Sequence, residues 1–199
     1  MSARDDILAS VRRALAGSDT TPVAAPSGYR SRRGPADLAT LFAERVADYR
    51  AVVDRCDASE VADRIGSALG AATRVLLPDG LPWKVPGQVD AGFSATELDG
   101  YDAVVTGSTI GIAETGTIVL THGLAEGRRA LTLVPDLHVC VVRARDLVAD
   151  VPAAVRRLDP GRPQTWVSGP SATSDIELSR VEGVHGPRTL HVILVDVSG

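Results

Sequence analysis

The sequence predicts an α/β fold in which a mostly parallel sheet is sandwiched by helices and preceded by an N-terminal helical extension. Three observations predict it. Short β-branched apolar segments bounded by glycine or proline dominate the second half of the chain. They are apolar at nearly every position, which is typical of strands buried on both faces. Amphipathic helical segments lie before and between them, and with only 4% aromatic residues, Val, Leu, Ile and Ala must form the core.

The chain divides into an extension and one domain. Residues 5–15 place Ile7, Val11 and Leu15 on one helical face. A segment rich in Gly, Pro, Ser and Thr follows, which is typical of a flexible linker. We therefore predict a helix and linker over residues 1–35 and an α/β domain over residues 36–199.

Within the domain, helices are predicted at residues 37–53 and 146–158, both from apolar side chains at helical spacing. A further helix running to Leu69 would begin near Asp57 and Glu60, which have capping-box spacing and would leave Cys56 at its start. Strands are predicted at residues 73–78, 101–107, 117–121, 130–135, 138–142, 165–169 and 190–197.

Charge and composition exclude several classes of protein. The net charge of -4 leaves no basic stripe for nucleic acid. The apolar runs are too short to span a membrane, and the charged N-terminus does not resemble a signal peptide, which predicts a cytoplasmic protein. Neither Cys56 nor Cys140 belongs to a CxxC motif, so we expect neither an iron–sulfur cluster nor a cysteine-ligated zinc in this chain, and the histidines and carboxylates show no metal-ligand spacing.

Three loops beside predicted strands carry candidate ligand-binding residues, and the first is SGPSATSDIE. A capping box predicts a helix start there, whose free N–H groups would bind an anion, with the hydroxyls as extra donors. The acidic residues would bind a ligand hydroxyl or order the loop. Alternatively, the hydroxyls only satisfy a turn and a helix cap. The candidates are Ser168, Gly169, Pro170, Ser171, Thr173, Ser174, Asp175 and Glu177.

The second loop is GSTIGIAETGTIVL. Its acidic residue Glu114 could act as a nucleophile or general base, with Thr115 and Gly116 contacting the ligand. The alternative is a hairpin turn with an exposed acid.

The third loop is VEGVHGPR. His185 could act as an acid or base, and Arg188 could clamp a carboxylate beside Gly186. The alternative is a structural histidine in a tight turn. Because both Gly-Pro loops adjoin buried strands, we expect them to meet at one sheet edge and form a site for a small anionic ligand.

Several segments resemble the lactate utilization protein C family, whose core is the LUD domain. They are, in order, DDILASVRRAL, GIAETGTIVL, LVPDLHVCVV, SGPSATSDIE and GVHGPRTLHVILVD. The resemblance implies a fold like that of ribose-5-phosphate isomerases and CoA transferases. It also implies a role in bacterial oxidation of L-lactate to pyruvate, without a cofactor of its own, beside partner proteins that carry iron–sulfur clusters. Residues 78–92 depart from the family pattern as a trimmed loop, which bears on any partner contact there.

Three functions remain open from the sequence. The chain could contribute a ligand or catalytic pocket to a lactate-oxidising complex. It could be a stand-alone acyl- or CoA-transferase with Glu114 as nucleophile, by analogy of fold. It could also be a non-catalytic assembly or regulatory subunit.

Overall fold

The computed structural model describes residues 2–19, 21, 23, 37–173, 181–183 and 186–196. Its centre is a six-stranded sheet in which every neighbouring pair is parallel. Numbered along the chain, its strands lie in the order β1 (Val52–Cys56), β12 (Thr189–Val195), β7 (Leu137–Arg143), β4 (Ala103–Thr106), β2 (Val75–Leu77) and β3 (Gln88–Val89). The predicted α/β fold with a mostly parallel sheet is confirmed.

Helices α2 (Leu38–Asp48) and α3 (Val61–Leu69) lie on opposite faces of this sheet. The described residues also include the helices α1 (Ala3–Leu15), α4 (Ala95–Leu98) and α5 (Val151–Arg157). Alternate residues of β7 point to opposite faces of the sheet. Cys140 and Val142 pack in the core that contains α2, whereas Val139 and Val141 pack in the core that contains α3. Since neither face meets water, the strand needs apolar residues at both alternating positions.

A second, smaller sheet lies beside α2 and was not distinguished in the sequence. Its strands are, in spatial order, β8 (Leu147–Val148), β5 (Ile110–Ile112), β6 (Thr117–Leu120) and β9 (Thr165–Val167), of which only β5 and β8 run parallel. Ile118 and Leu120 face the core under α2, and Val119 faces the core that contains Ala154 of α5. A two-residue antiparallel pair, β10 (Ala172–Thr173) with β11 (Val181–Glu182), completes the strands described.

The helix predicted at residues 37–53 is shorter than expected. It ends at Asp48, and Arg50 takes a left-handed conformation with φ 67° that turns the chain. Val52 and Val53 then enter β1 and pair with His191 and Val192 of β12. Their spacing fitted a helix, but strand pairing at the sheet edge decided their conformation. Cys56 accordingly ends a strand and does not lie at a helix end.

Two other predicted segments are corrected. Residues 130–135 are not a strand, because the chain forms a 3₁₀ turn at Arg129–Thr132, and a short apolar run does not distinguish these two states. The helix predicted at residues 146–158 begins only at Val151, where the Asp150 side chain caps it by accepting a hydrogen bond from the Ala153 N–H at 2.9 Å.

The two other predicted helices follow their patterns. Val61, Ile65 and Leu69 of α3 are buried as expected, although the capping contact is one-sided: the Asp57 N–H donates to Glu60 Oε2 at 3.0 Å. Helix α1 spans Ala3–Leu15 and has no buried residue. Among the described residues, each helix is either too short or too polar to cross a membrane.

Candidate functional site

The two Gly-Pro loops meet as expected and enclose a cavity of about 320 Å³. The Ser171 N–H donates to the Pro187 carbonyl oxygen at 2.9 Å, which joins the loop after β9 to the loop before β12. Ser168, Gly169 and Gly186 also line the cavity, as do Ser171 and both prolines. Its size suits a small ligand.

The floor of the cavity lies at the amino ends of two central strands. His138 and Leu190, the second residues of β7 and β12, both line it. Ligands of open α/β sheets usually bind beyond the carboxyl ends of the strands. This cavity follows that rule for β9, whose carboxyl end leads into it, but not for the strands of the parallel sheet.

A row of hydroxyl groups connects the hairpin between β5 and β6 to the cavity wall. Thr115 Oγ1 lies 2.7 Å from Thr117 Oγ1, which lies 2.8 Å from Ser168 Oγ. Thr115 and Ser168, selected separately from the sequence, therefore belong to one network, and the buried Thr117 joins them.

Replacing Thr117 by valine, which is similar in shape, is expected to cost about 1 kcal/mol of unfolding free energy, because two hydroxyls lose their partner. Thr117→Ser keeps the hydroxyl and serves as the control in urea denaturation. A loss in Thr117→Ser with none in Thr117→Val would show that packing of the methyl group, not the hydroxyl row, matters at this position.

Two of the predicted glycines are required by close packing. Gly169 has φ 83°, and a Cβ there would lie 2.4 Å from the Tyr49 Cβ. Gly116 has φ 60°, and its Cβ would lie 2.7 Å from the Arg45 carbonyl carbon of α2. Gly169 lets the loop pass close to Tyr49, and Gly116 lets the hairpin turn lie against α2.

The cation at the cavity differs from the one expected. Arg188 does not line it; its side chain is 65% exposed and its Nε lies 3.5 Å from Asp136 Oδ1. Arg129 does line it, and within the described residues its side chain makes no hydrogen bond or ion pair. The neighbouring Arg128 binds the Asp90 carboxylate through Nε at 2.7 Å and Nη2 at 3.0 Å. Thus, within the described residues, Arg129 is the arginine at this cavity that is available to an anion.

Glu114 lies in the turn between β5 and β6, where its side chain is exposed. Its N–H donates to the Ala149 carbonyl oxygen at 3.0 Å, and the residue does not line the cavity. This placement matches the alternative of a hairpin turn with an exposed acid. It does not favour a nucleophile acting in an enclosed site.

The remaining predicted residues cannot be placed at the cavity. Ser174, Asp175, Glu177 and His185 lie outside the described residues, and with them the helix start expected at Ser174. Thr173 is described by its backbone, which pairs with Val181 in the strands β10 and β11.

A buried polar group at the cavity floor was missed in the sequence. His138 is 2% exposed, and its Nε2 lies 2.8 Å from the Oγ1 of Thr106, which is itself fully buried. Burial lowers the pKa of His138 to about 4, so the ring is neutral at physiological pH. The available signal was a pair of polar residues, His138 and Thr106, within strands that are otherwise apolar.

Both ring nitrogens of His122, in the turn after β6, have hydrogen-bonding partners. Nδ1 lies 3.1 Å from the Gly127 carbonyl oxygen, and Nε2 lies 3.0 Å from Thr165 Oγ1. These bonds hold the turn after β6, so His122 has a structural role.

Thiol chemistry is not favoured. Burial raises the pKa of the Cys140 thiol to about 12 and also raises the pKa of Cys56, so neither is a thiolate at neutral pH. In the part of the chain that the structure describes, no cluster of three or more His, Cys, Asp or Glu side chains could hold a metal ion.

A second cavity of about 390 Å³ lies at the carboxyl edge of the parallel sheet. Arg143, Arg145 and Trp83 line it, and the Arg143 guanidinium carbon lies 5.6 Å from the centre of the Trp83 ring. It contains none of the residues selected from the sequence.

Comparison with known proteins shows which proteins this chain is similar to. Residues 89–195 match the family model of the LUD domain. The chain is 46% identical to a lactate utilization protein C from Deinococcus radiodurans, over 97% of this chain and 95% of that protein. It is 34% identical to a lactate utilization protein C from Shouchella clausii, over 54% of this chain and 49% of that protein. A crystal structure of a DUF162 family protein from Deinococcus radiodurans superposes with a TM-score of 0.65 at 40% identity, covering 80% of this chain and 97% of that one.

Proposed function

Because this chain belongs to the LUD domain family, we propose that it takes part in lactate utilization as the component that binds a small carboxylate. The observation that carries the proposal is the cavity between the two Gly-Pro loops. It combines the Arg129 cation with the hydroxyls of Ser168 and Ser171. A carboxylate suits such a site, because it accepts hydrogen bonds from all three groups and neutralises the arginine.

We also propose the fuller role that the family resemblance implies, in the cytoplasm. In it the chain supports oxidation of L-lactate to pyruvate without a cofactor of its own, and partner proteins carry iron–sulfur clusters. The names of the relatives support a role in lactate utilization. The electron-transferring groups would then belong to the partners, and this chain would bind and orient the carboxylate.

Titration of the purified chain with L-lactate in a calorimeter tests the carboxylate site. We expect saturable binding of one equivalent, which weakens as chloride is replaced by sulfate, since sulfate also binds arginine and hydroxyl donors. Chloride-only buffer is the reference condition. Absence of saturable heat with L-lactate, propionate and pyruvate alike would contradict the site.

Reconstitution tests the role in oxidation. The tagged chain would be recovered from cells growing on L-lactate, and co-purifying proteins examined for cysteine-ligated iron–sulfur clusters. Lactate-dependent reduction of a dye is then measured with and without the chain. We expect reduction to require it. If reduction is lost without the chain but unaffected by Arg129→Ala, the chain acts in assembly and not through its cavity.

A further inference from the structure

A buried polar chain leads from the cavity floor into the central sheet. His138 Nε2 lies 2.8 Å from Thr106 Oγ1, Thr106 Oγ1 lies 3.7 Å from Cys140 Sγ, and Cys140 Sγ lies 3.6 Å from the Gly107 carbonyl oxygen. His138 and Cys140 sit two residues apart on β7 and so project from the same face of the sheet.

The protons of this chain can be assigned from its far end. A carbonyl oxygen only accepts, so Cys140 donates its single thiol proton to Gly107. Cys140 Sγ must then accept from Thr106, whose hydroxyl has one proton to give. Thr106 Oγ1 is left to accept from His138. All three contacts are made together only when His138 carries its proton on Nε2.

The other ring nitrogen, Nδ1, then bears a lone pair. Within the described residues Nδ1 has no hydrogen-bonding partner. In that part of the chain, every side-chain nitrogen or oxygen that is fully shielded from solvent does have a partner. Nδ1 is therefore accessible, and the cavity that the ring lines is where it can be reached. A neutral imidazole nitrogen with a lone pair accepts a hydrogen bond from a neutral donor.

We propose that Nδ1 of His138 accepts a hydrogen bond from a hydroxyl group of the ligand, so that the cavity selects a hydroxy carboxylate over the carboxylate that lacks the hydroxyl. The inference rests on the proposed carboxylate site, to which Arg129 contributes the cation. A hydroxyl fits better than an ammonium group, which Arg129 would repel. A 2-oxo acid is disfavoured, because its keto oxygen and Nδ1 are both hydrogen-bond acceptors and would repel each other.

Comparison of three ligands tests this on the unaltered chain. Affinities for L-lactate, propionate and pyruvate are measured by calorimetry under identical conditions. L-Lactate is expected to bind about fivefold to tenfold more tightly than propionate, with pyruvate no tighter than propionate. Equal affinity for L-lactate and propionate would overturn the role of His138 while the carboxylate site stands. Binding of none of the three would overturn the carboxylate site, and His138 with it.

Variants locate the selectivity in the ring. In His138→Leu the ratio of L-lactate to propionate affinity is expected to fall to about one, because the acceptor is gone. His138→Asn places an amide oxygen near the former Nδ1 and is expected to restore part of the ratio. A ratio that is unchanged in His138→Leu would overturn the proposal.

The proton position can be measured without any substitution. Long-range ¹H–¹⁵N NMR of the chain labelled at histidine distinguishes the two neutral tautomers. We expect the His138 proton on Nε2. A proton on Nδ1 would overturn the proposal even if both variants failed to fold.

Discussion

Replacement of Arg129 by alanine is expected to weaken binding of L-lactate by about 10- to 100-fold, the usual loss for a charge-assisted hydrogen bond. Arg129 lines the cavity, and within the described residues no protein group competes for its guanidinium. Because the side chain is exposed, its removal should leave the melting temperature nearly unchanged. Calorimetric titration of the variant and thermal unfolding measure the two effects.

Arg188→Ala is the matched control. Arg188 precedes β12 close to the same cavity, but it is exposed and pairs with Asp136 without lining the cavity. Its removal is expected to change affinity for L-lactate less than twofold, as is usual for exposed charges. If Arg188→Ala weakens binding and Arg129→Ala does not, the sequence-based choice of arginine is right and the assignment from the cavity is wrong.

Acidification is expected to destabilise the protein through His138. Burial holds the pKa of the folded His138 at about 4, against 6.5 for an unperturbed histidine. Between these two values the unfolded chain binds a proton that the folded chain does not, so unfolding is favoured as the pH falls. The loss begins near pH 6.5 and reaches up to about 3 kcal/mol near pH 4.

Denaturant unfolding of the unaltered chain and of His138→Asn at pH 7, 5.5 and 4 measures this contribution. All other titratable groups are common to both proteins, so the difference between their pH dependences isolates His138. Asp90 and Asp102, whose pKa values are lowered by hydrogen bonds to Arg128 and to the backbone N–H of Arg74 respectively, contribute at lower pH, below the ordinary value of 3.8. Parallel pH profiles for the two proteins would show that His138 does not titrate as its burial requires.

The sequence predicted the parallel sheet well because its central strands carry two independent signals. Residues 139–142 of β7 and 192–195 of β12 are apolar on both alternating sets, and a proline lies two residues before each strand. Helix α3 was equally clear, with Val61, Ile65 and Leu69 on one face. These signals are local, so neighbouring residues suffice to read them.

The errors fall where two conformations suit the same residues. Val52 and Val53 continue the apolar spacing of α2, yet pairing with β12 makes them a strand. Residues 130–135 have strand-like composition but form a 3₁₀ turn at Arg129–Thr132, which places Thr132 at the cavity. Such choices depend on which distant segment offers hydrogen-bonding partners, and a single window of sequence does not contain that segment.

For the candidate site, the sequence by itself determined that Gly-Pro loops rich in hydroxyl groups adjoin buried strands, because glycine, proline and serine have conformational and hydrogen-bonding preferences of their own. Only the tertiary structure decided which charged and titratable groups face the cavity. Arg128 and Arg129 are adjacent and chemically identical, yet one binds Asp90 and the other lines the cavity. His138 lies in a mostly apolar strand, and β4 places Thr106 against one of its ring nitrogens. Proximity between residues far apart in sequence is set by how the elements pack, and it is this proximity that assigns a side chain its role.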